Sequence, residues 1–476
     1  LQSKNLILTV CAAGIGGTFQ YGYNISIINA PTLYIQTFMN KTWLERTGAP
    51  LESGMVLMLW SFTVSVYPLG GLAGAVAAGP MAIVLGRKMS LLVNNIFVIV
   101  AAVLSGFSQM AKSFEMIMLS RFLTGVNAGV SMNVQPMYLA ESAPKKLRGA
   151  VALTSASFTA LGLVLGQVVG LRELLGGEES WPLLLASNAV PALIQLMILP
   201  WFPESPRYLL IDRGDRESCI SALKKLRGSS DLGEELEEML SEQAAAKGQR
   251  AKKPWELFRN PAVRWQLISI IVLSSAMQLC GNDSVYFYAY NVFLKVGLSP
   301  SQTRYVSLGV GITEILTTAL CGFLVDRAGR KALLWKSHTA MALALGLLTI
   351  TLALQDSFSW TPYCSAALIF IFIMSFGLGP AGVLCPLPTE IFIQSYRPAA
   401  YAFNGASNWI QLFFLGLLFP FIVEGLGSFC FIIFLAYCLS MAIFVYLVVP
   451  ETKGKTMLQI MEEFNRLNYR GKKGQE

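Results

Sequence analysis

The stretch that decides the fold is WQLISIIVLSSAMQLCGNDSVYFYAY, Trp265 to Tyr290. It opens as an uninterrupted apolar run, then sets Gln278, Asn282 and Asp283 close together ahead of Tyr286, Phe287, Tyr288 and Tyr290. In a soluble core these polar groups would be minor hydrogen-bonded details. At bilayer depth they are expensive, and polar residues kept there are functional by default. The solvent around this run therefore has to be read from the rest of the chain.

Of the 476 residues, 54% are hydrophobic and only 13% charged, with a mean hydropathy of +0.54. The charges gather in clusters. Between them lie runs of about 20 residues, the length a helix needs to cross roughly 30 Å of hydrocarbon. Twelve such runs, numbered here as spans 1 to 12, fall near 7–29, 55–79, 89–107, 114–138, 150–171, 182–202, 265–294, 304–325, 332–354, 362–387, 399–423 and 428–449. The pattern predicts an all-α membrane protein with twelve transmembrane helices.

Basic residues set the expected orientation. If loops alternate sides, the N-terminal end, the even-numbered loops and the tail hold about 27 of the 36 Lys and Arg residues, and the odd-numbered loops about 6. The positive-inside rule then places both termini in the cytoplasm. The net charge of +8 reflects topology and anionic lipid, so no nucleic-acid partner is expected. Span 1 is long, polar-rich and without a small-residue cleavage site, which predicts a retained helix. The eight cysteines lie mostly within spans without metal-ligand spacing, and read as small buried hydrophobes. Asn40-Lys41-Thr42 is a glycosylation sequon in the first external loop, which makes Asn40 the expected acceptor.

Three signatures recur at nearly one offset. Gly86-Arg87-Lys88 returns as Gly329-Arg330-Lys331, Glu141 with Arg148 as Glu390 with Arg397, and Pro203-Glu204-Ser205 as Pro450-Glu451-Thr452, at 243, 249 and 247 residues. A duplicated six-helix unit explains all three. The expected organisation is an N-terminal bundle over 1–202, a cytoplasmic helical linker over 203–263, a C-terminal bundle over 264–450 and a tail over 451–476. In the linker, Asp215 is the expected N-cap and Gly228 the C-terminal stop of a short helix, and Asp231 with Glu234 has capping-box spacing.

The chain carries little chemistry of other kinds. Its one histidine, His338, has no acidic or nucleophilic neighbour in sequence, so neither a metal site nor a catalytic triad is expected. Gly377 to Gly382 matches GxGxxG, but it follows no strand and lies in an apolar run, so the dinucleotide reading fails. Gly162, Gly166 and Gly170 share a helix face and predict close helix packing. With no enzyme motif, no cofactor site and no nucleotide-driven engine, a two-fold bundle with polar groups at membrane depth describes a secondary transporter.

The motifs DRAGRK (Asp326–Lys331), ESAPKKLRG (Glu141–Gly149), PESPRYLL (Pro203–Leu210), TEIFIQSYRP (Thr389–Pro398) and PETKGKT (Pro450–Thr456) give a more specific picture. Together they resemble the facilitative hexose transporters, the sugar porters of the major facilitator superfamily in solute carrier family two. QYGYN (Gln20–Asn24) and the overall pattern are similar to the family's second class, which includes the fructose transporter. The resemblance implies alternating access around a midplane hexose site in the plasma membrane. It also implies that Arg87, Glu141, Arg148, Asp326, Arg330, Glu390 and Arg397 form helix-end ion pairs that break as the cytoplasmic side opens.

By the same resemblance Gln278 matches a sugar-binding glutamine of span 7, and Tyr286 and Tyr288 match its outer gate. Tyr21, Gln167, Asn408 and Trp409 match pocket positions. Asp283 and Glu314 stand where better-known members have asparagines, Met277 and Ala156 replace glutamines, and Cys385 replaces a bulky tryptophan, which favours fructose or mixed hexose transport. Proton-coupled relatives carry an aspartate at the span-1 position of Asn24, which cannot titrate, so uniport is the expected mode. A proton-coupled symporter using Asp283 and Glu314, or a non-transporting sugar sensor, is the alternative.

Overall fold

The structure is a computed structural model. It describes residues 4–469 except 29, 145–147, 172, 229–231, 247–253, 283–284, 286–292, 294–296, 385–386, 388–390, 393–395 and 454–456. Among the described residues all regular structure is helical, and it falls into two compact units, Leu1–Arg250 and Ala251–Glu476. Each expected span lies on a helix or on an interrupted helix. Eight helices are long and apolar enough to cross a membrane by length and composition. The others include span 1, which is broken, and span 4, which is rich in buried polar groups.

In the first unit, span 1 is two short helices, Lys4–Ile15 and Thr18–Ile27, joined through Gly16 and Gly17. Helix Thr32–Thr47 follows in the loop, then spans 2 to 5 as Ser53–Val84, Arg87–Phe107, Glu115–Ser142 and Arg148–Val169. Span 6 is split into Trp181–Ala186 and Ala189–Ile198. Small residues set the helix contacts, as expected where lipid supplies no hydrophobic drive for association. A Cβ on Gly125 would lie 2.1 Å from the Tyr67 carbonyl of span 2. On Gly162 it would lie 2.2 Å from the Phe19 carbonyl of span 1, so the glycine face of span 5 is the contact face predicted for it.

The segment after span 6 folds onto the same unit. Asp215 caps helix Arg216–Arg227 by accepting the Ser218 N–H at 3.2 Å, and Gly228 ends the helix at φ +74°, as the sequence indicates. The Ser218 hydroxyl, and then its backbone N–H, hold the Asp215 carboxyl below the usual range. Arg227 anchors this helix to span 4, donating to Ser142 O at 2.7 Å and pairing with Glu235 of helix Gly233–Ala246 at 3.0 Å. Asp231, the other half of the expected capping box, lies outside the described residues.

The second unit begins with Pro254–Arg259 and contains the first part of span 7 as Arg264–Leu279, then spans 8 and 9 as Pro300–Ala328 and Arg330–Ala353. Span 10 is Thr361–Leu378 with a short continuation, Pro380–Val383, and spans 11 and 12 are Arg397–Leu426 and Cys430–Val448. Helix Met457–Asn468 packs Ile460 and Phe464 into the core shared with Leu257, Leu267 and Val445. Its last residue, Asn468, accepts from Trp265 N at 2.9 Å and donates to Gln266 Oε1 at 3.0 Å, which fastens the tail to the start of span 7.

Candidate functional site

The polar residues of the first unit converge on the break in span 1. Interrupting a helix frees backbone groups that must find partners where no water is available. Gln195 of span 6 donates to the carbonyls of Ala12 at 3.2 Å and Ala13 at 2.8 Å, and its own oxygen accepts from Asn95 Nδ2 at 2.8 Å. Gln135 of span 4 accepts the Thr18 N–H at 2.7 Å. All three amides are fully buried.

Beyond the break, the second helix of span 1 carries Tyr21 and Asn24. The Asn24 side chain accepts from Asn188 Nδ2 at 2.9 Å, and its backbone carbonyl accepts from Arg121 Nη1 at 2.8 Å. Arg121 is buried in span 4 with its guanidinium 4.5 Å from the Tyr67 ring centre, and among the described residues no carboxylate lies within ion-pair distance of it. The Tyr67 hydroxyl donates to the Tyr21 carbonyl at 3.3 Å. Gln167 lies on span 5, and its buried Oε1 has no hydrogen-bond partner among the described residues.

In the second unit Gln278 is half-buried one residue before the first helix of span 7 ends at Leu279, ahead of Gly281 at φ +94°. Glu314 is half-buried on span 8, where its backbone carbonyl accepts from the Thr317 and Thr318 hydroxyls at 3.0 and 2.8 Å. On span 11 Asn408 has a buried Oδ1 without a partner among the described residues, next to a buried Trp409. Asp283, Tyr286, Tyr288, Cys385 and Glu390 lie outside the described residues, as do the side chains of Arg148, Asp326 and Arg397. His338 is fully buried, and neither ring nitrogen has a partner among the described residues. No group of three His, Cys, Asp or Glu among the described residues could hold a metal ion.

The duplicated motifs form one clasp in each unit. Gly86, at φ +86°, turns the chain into span 3, and the Glu204 carboxylate accepts the Lys88 N–H at 3.0 and 3.2 Å. Gly329, at φ +87°, does the same before span 9, where Glu451 accepts the N–H groups of Arg330 at 2.9 Å and Lys331 at 3.1 Å. A carboxylate at a helix N-terminus satisfies orphan donors and complements the helix dipole. Each clasp therefore ties the chain after the sixth helix of its unit to the start of the third. In the first unit Arg87 adds pairs with Glu141 at 3.1 Å and Asp212 at 3.2 Å, and it stacks over Tyr208 at 4.8 Å. The Ser205 hydroxyl donates to Glu141 at 2.5 Å.

Sequence reasoning singled out Arg87 and Glu141 but overlooked Asp212 beside Arg87, and Glu204 and Glu451 as the carboxylates that receive the third helix of each unit. The repeat of Pro-Glu-Ser as Pro-Glu-Thr was the available signal. Asn40 is exposed on helix Thr32–Thr47 and accepts the Leu51 N–H at 3.2 Å, while Thr42 of its sequon is buried.

Two units repeating one motif set, with amides and a cation buried in the spans, define a helical membrane transporter of the major facilitator type. The chain matches the family described as "Sugar (and other) transporter" over residues 8–464, and it belongs to that family. It is 59% identical to the human protein "Solute carrier family 2, facilitated glucose transporter member 11" over 98% of this chain and 95% of that one. It is 44% identical to member 5 of the same family from Bos taurus, over 97% of this chain and 92% of that one. Its fold is similar to that of the major facilitator proton:xylose symporter XylE bound to 6-bromo-6-deoxy-D-glucose. The TM-score is 0.76 at 22% identity, over 97% of this chain and 99% of that one.

Proposed function

We propose that this protein is a facilitative hexose carrier, moving fructose, glucose or both down their gradients by alternating access. The family and the names of its similar relatives support hexoses as the substrate class. In this reading Tyr21 and Gln167 of the first half and Gln278, Asp283, Glu314, Asn408 and Trp409 of the second contact the sugar. Tyr286 and Tyr288 gate it, and the charged motifs hold one state closed. The protein sits in the plasma membrane with both termini in the cytoplasm, and Asn40 faces outward as a glycosylation acceptor.

One observation carries the uniport assignment: Arg121 donates to the backbone carbonyl of Asn24, whose own side chain is an amide paired with Asn188, and no carboxylate lies beside Arg121 among the described residues. An amide has no proton to give up across the operating pH range. With an amide at this position, span 1 offers Arg121 no acid to share a proton with.

The test is uptake of labelled fructose and glucose into liposomes containing the purified protein, each competed by the other, with and without a proton gradient. Hexose uptake that ignores the gradient is expected. Uptake that drives protons, or that collapses when the gradient does, refutes uniport and turns attention to Asp283 and Glu314.

A further inference from the structure

Helix Arg397–Leu426 carries amides at Asn404, Asn408 and Gln411. Offsets of four and seven residues put all three on one face. Asn404 Oδ1, Asn408 Oδ1 and Gln411 Oε1 are all buried, and none has a hydrogen-bond partner among the described residues. The Gln411 amide nitrogen donates to Ser407 Oγ at 3.0 Å, on its own helix.

Other buried amides, Asn94 and Asn127 among them, also leave an oxygen without a partner among the described residues, but they spend their nitrogens on tying helices together. Asn94 donates to Asn127 O and Ser131 Oγ, both at 2.9 Å, and Asn127 donates back to Asn94 O at 3.1 Å, fastening span 3 to span 4. Gln135 and Gln195 satisfy the broken span 1. The row on span 11 fastens no helix to another among the described residues, yet it aligns three acceptor oxygens where an unpaired acceptor is costly.

The chemistry of a row of acceptors limits what it can hold. It wants donors. A single cation would need its oxygens gathered within about 2.3–2.6 Å of one point, whereas Asn404 and Gln411 are separated by roughly 10 Å along the axis at 1.5 Å per residue. An uncharged molecule with several hydroxyls in line supplies one donor per rung. The row is also longer than one hexose ring, so a single sugar engages two rungs at a time.

We infer that Asn404 and Gln411 are specificity-determining residues that work with Asn408 as a ladder for sugar hydroxyls. The ladder offers two overlapping positions at different depths, Asn404 with Asn408 and Asn408 with Gln411. This rests on the reading of the protein as a hexose carrier.

The test uses the full-length protein in liposomes, comparing wild type with Asn404→Leu and Gln411→Met, which keep volume and remove the acceptor. Competition is measured with hexose analogues that each lack one hydroxyl, added to either face of the membrane. Each variant is expected to raise KM for the parent sugar roughly 2- to 13-fold, the loss of one neutral hydrogen bond. Each should also become indifferent to the removal of one particular hydroxyl, a different one for each variant, with the larger effect from opposite faces.

A packing role would alter thermal melting and leave the analogue profile of wild type intact. That profile in both variants overturns the inference. Should either variant fail to fold, Asn404→Ser and Gln411→Asn retain a polar group at reduced reach and are expected to shift the same profile less. If wild type takes up no hexose, the carrier reading falls and takes the ladder with it. If wild type transports hexose and the profile does not move, the ladder alone falls.

Discussion

Arg121 is a costly side chain for the fold to accommodate, a buried guanidinium without a carboxylate in reach among the described residues. Burying an unpaired ion costs several kcal/mol unless other groups replace water. Here a backbone carbonyl and an aromatic face do so, the latter worth about 0.5–2 kcal/mol. Asn24→Asp adds a titratable acid to the residue that already holds Arg121. Its expected effect is uptake that depends on pH and on the proton gradient, measured in the same liposomes as wild type; uptake still indifferent to both would show that an acid here does not suffice for coupling. The amides in the spans give a second expectation. Gln167 Oε1 is buried without a partner among the described residues, so Gln167→Ala should leave surface expression and thermal melting near wild type. Hexose uptake efficiency should fall roughly tenfold, as for the loss of one or two hydrogen bonds to sugar. Lost expression would place Gln167 in the packing instead.

At the scale of elements, the carboxylate clasps act on helix starts. Glu204 accepts the Lys88 N–H on both its oxygens and Glu451 accepts the N–H groups of Arg330 and Lys331, bridging 116 and about 120 positions. Glu451→Ala should lower the stability of the second unit by about 1.5–3 kcal/mol, the range for hydrogen bonds to a charged group. Thermal melting in detergent reads this out, and Glu451→Gln should recover part of it. At the break in span 1, a Cβ on Gly17 would lie 1.9 Å from Gln135 Oε1. Gly17→Ala is therefore expected to cripple folding, and Gln135→Ala in the same chain to restore part of the yield. The spans themselves were legible because hydropathy over 20 residues is a strong signal, and the Asp215 and Gly228 caps because capping is local. The clasps were only half legible: repetition marked Glu204 and Glu451, but spacing along the chain does not say which N–H a carboxylate will reach across more than a hundred residues. The break at Gly16 and Gly17 was hidden because glycines in a span serve close packing as readily as interruption.

At the scale of the whole molecule, duplication leaves a trace in the chemistry. Both units reuse a glycine at φ +86° or +87°, a basic pair after it and a distant glutamate to receive the new helix. The copies have since diverged. Arg87 has Glu141, Asp212 and Tyr208 around it, whereas the second copy retains the Asp326 that the first lacks. Neutralising Arg87 with Gln should therefore shift the balance between outward- and inward-facing states, seen as unequal changes in KM for uptake and for efflux. Equal changes would mean that the ion pairs only anchor helix ends.

The interruption in span 1 has a mechanical meaning. A continuous helix transmits a tilt at one end to the other, whereas two short rods on a swivel do not. The first rod is tied to the linker through Asn5 Nδ2, which donates to Lys225 O at 2.7 Å, while the second rod carries Tyr21 and Asn24. Here the joint is braced, Gln195 holding the carbonyls before it and Gln135 the Thr18 N–H after it, so a pull from the linker is handed to spans 4 and 6 as well as along span 1.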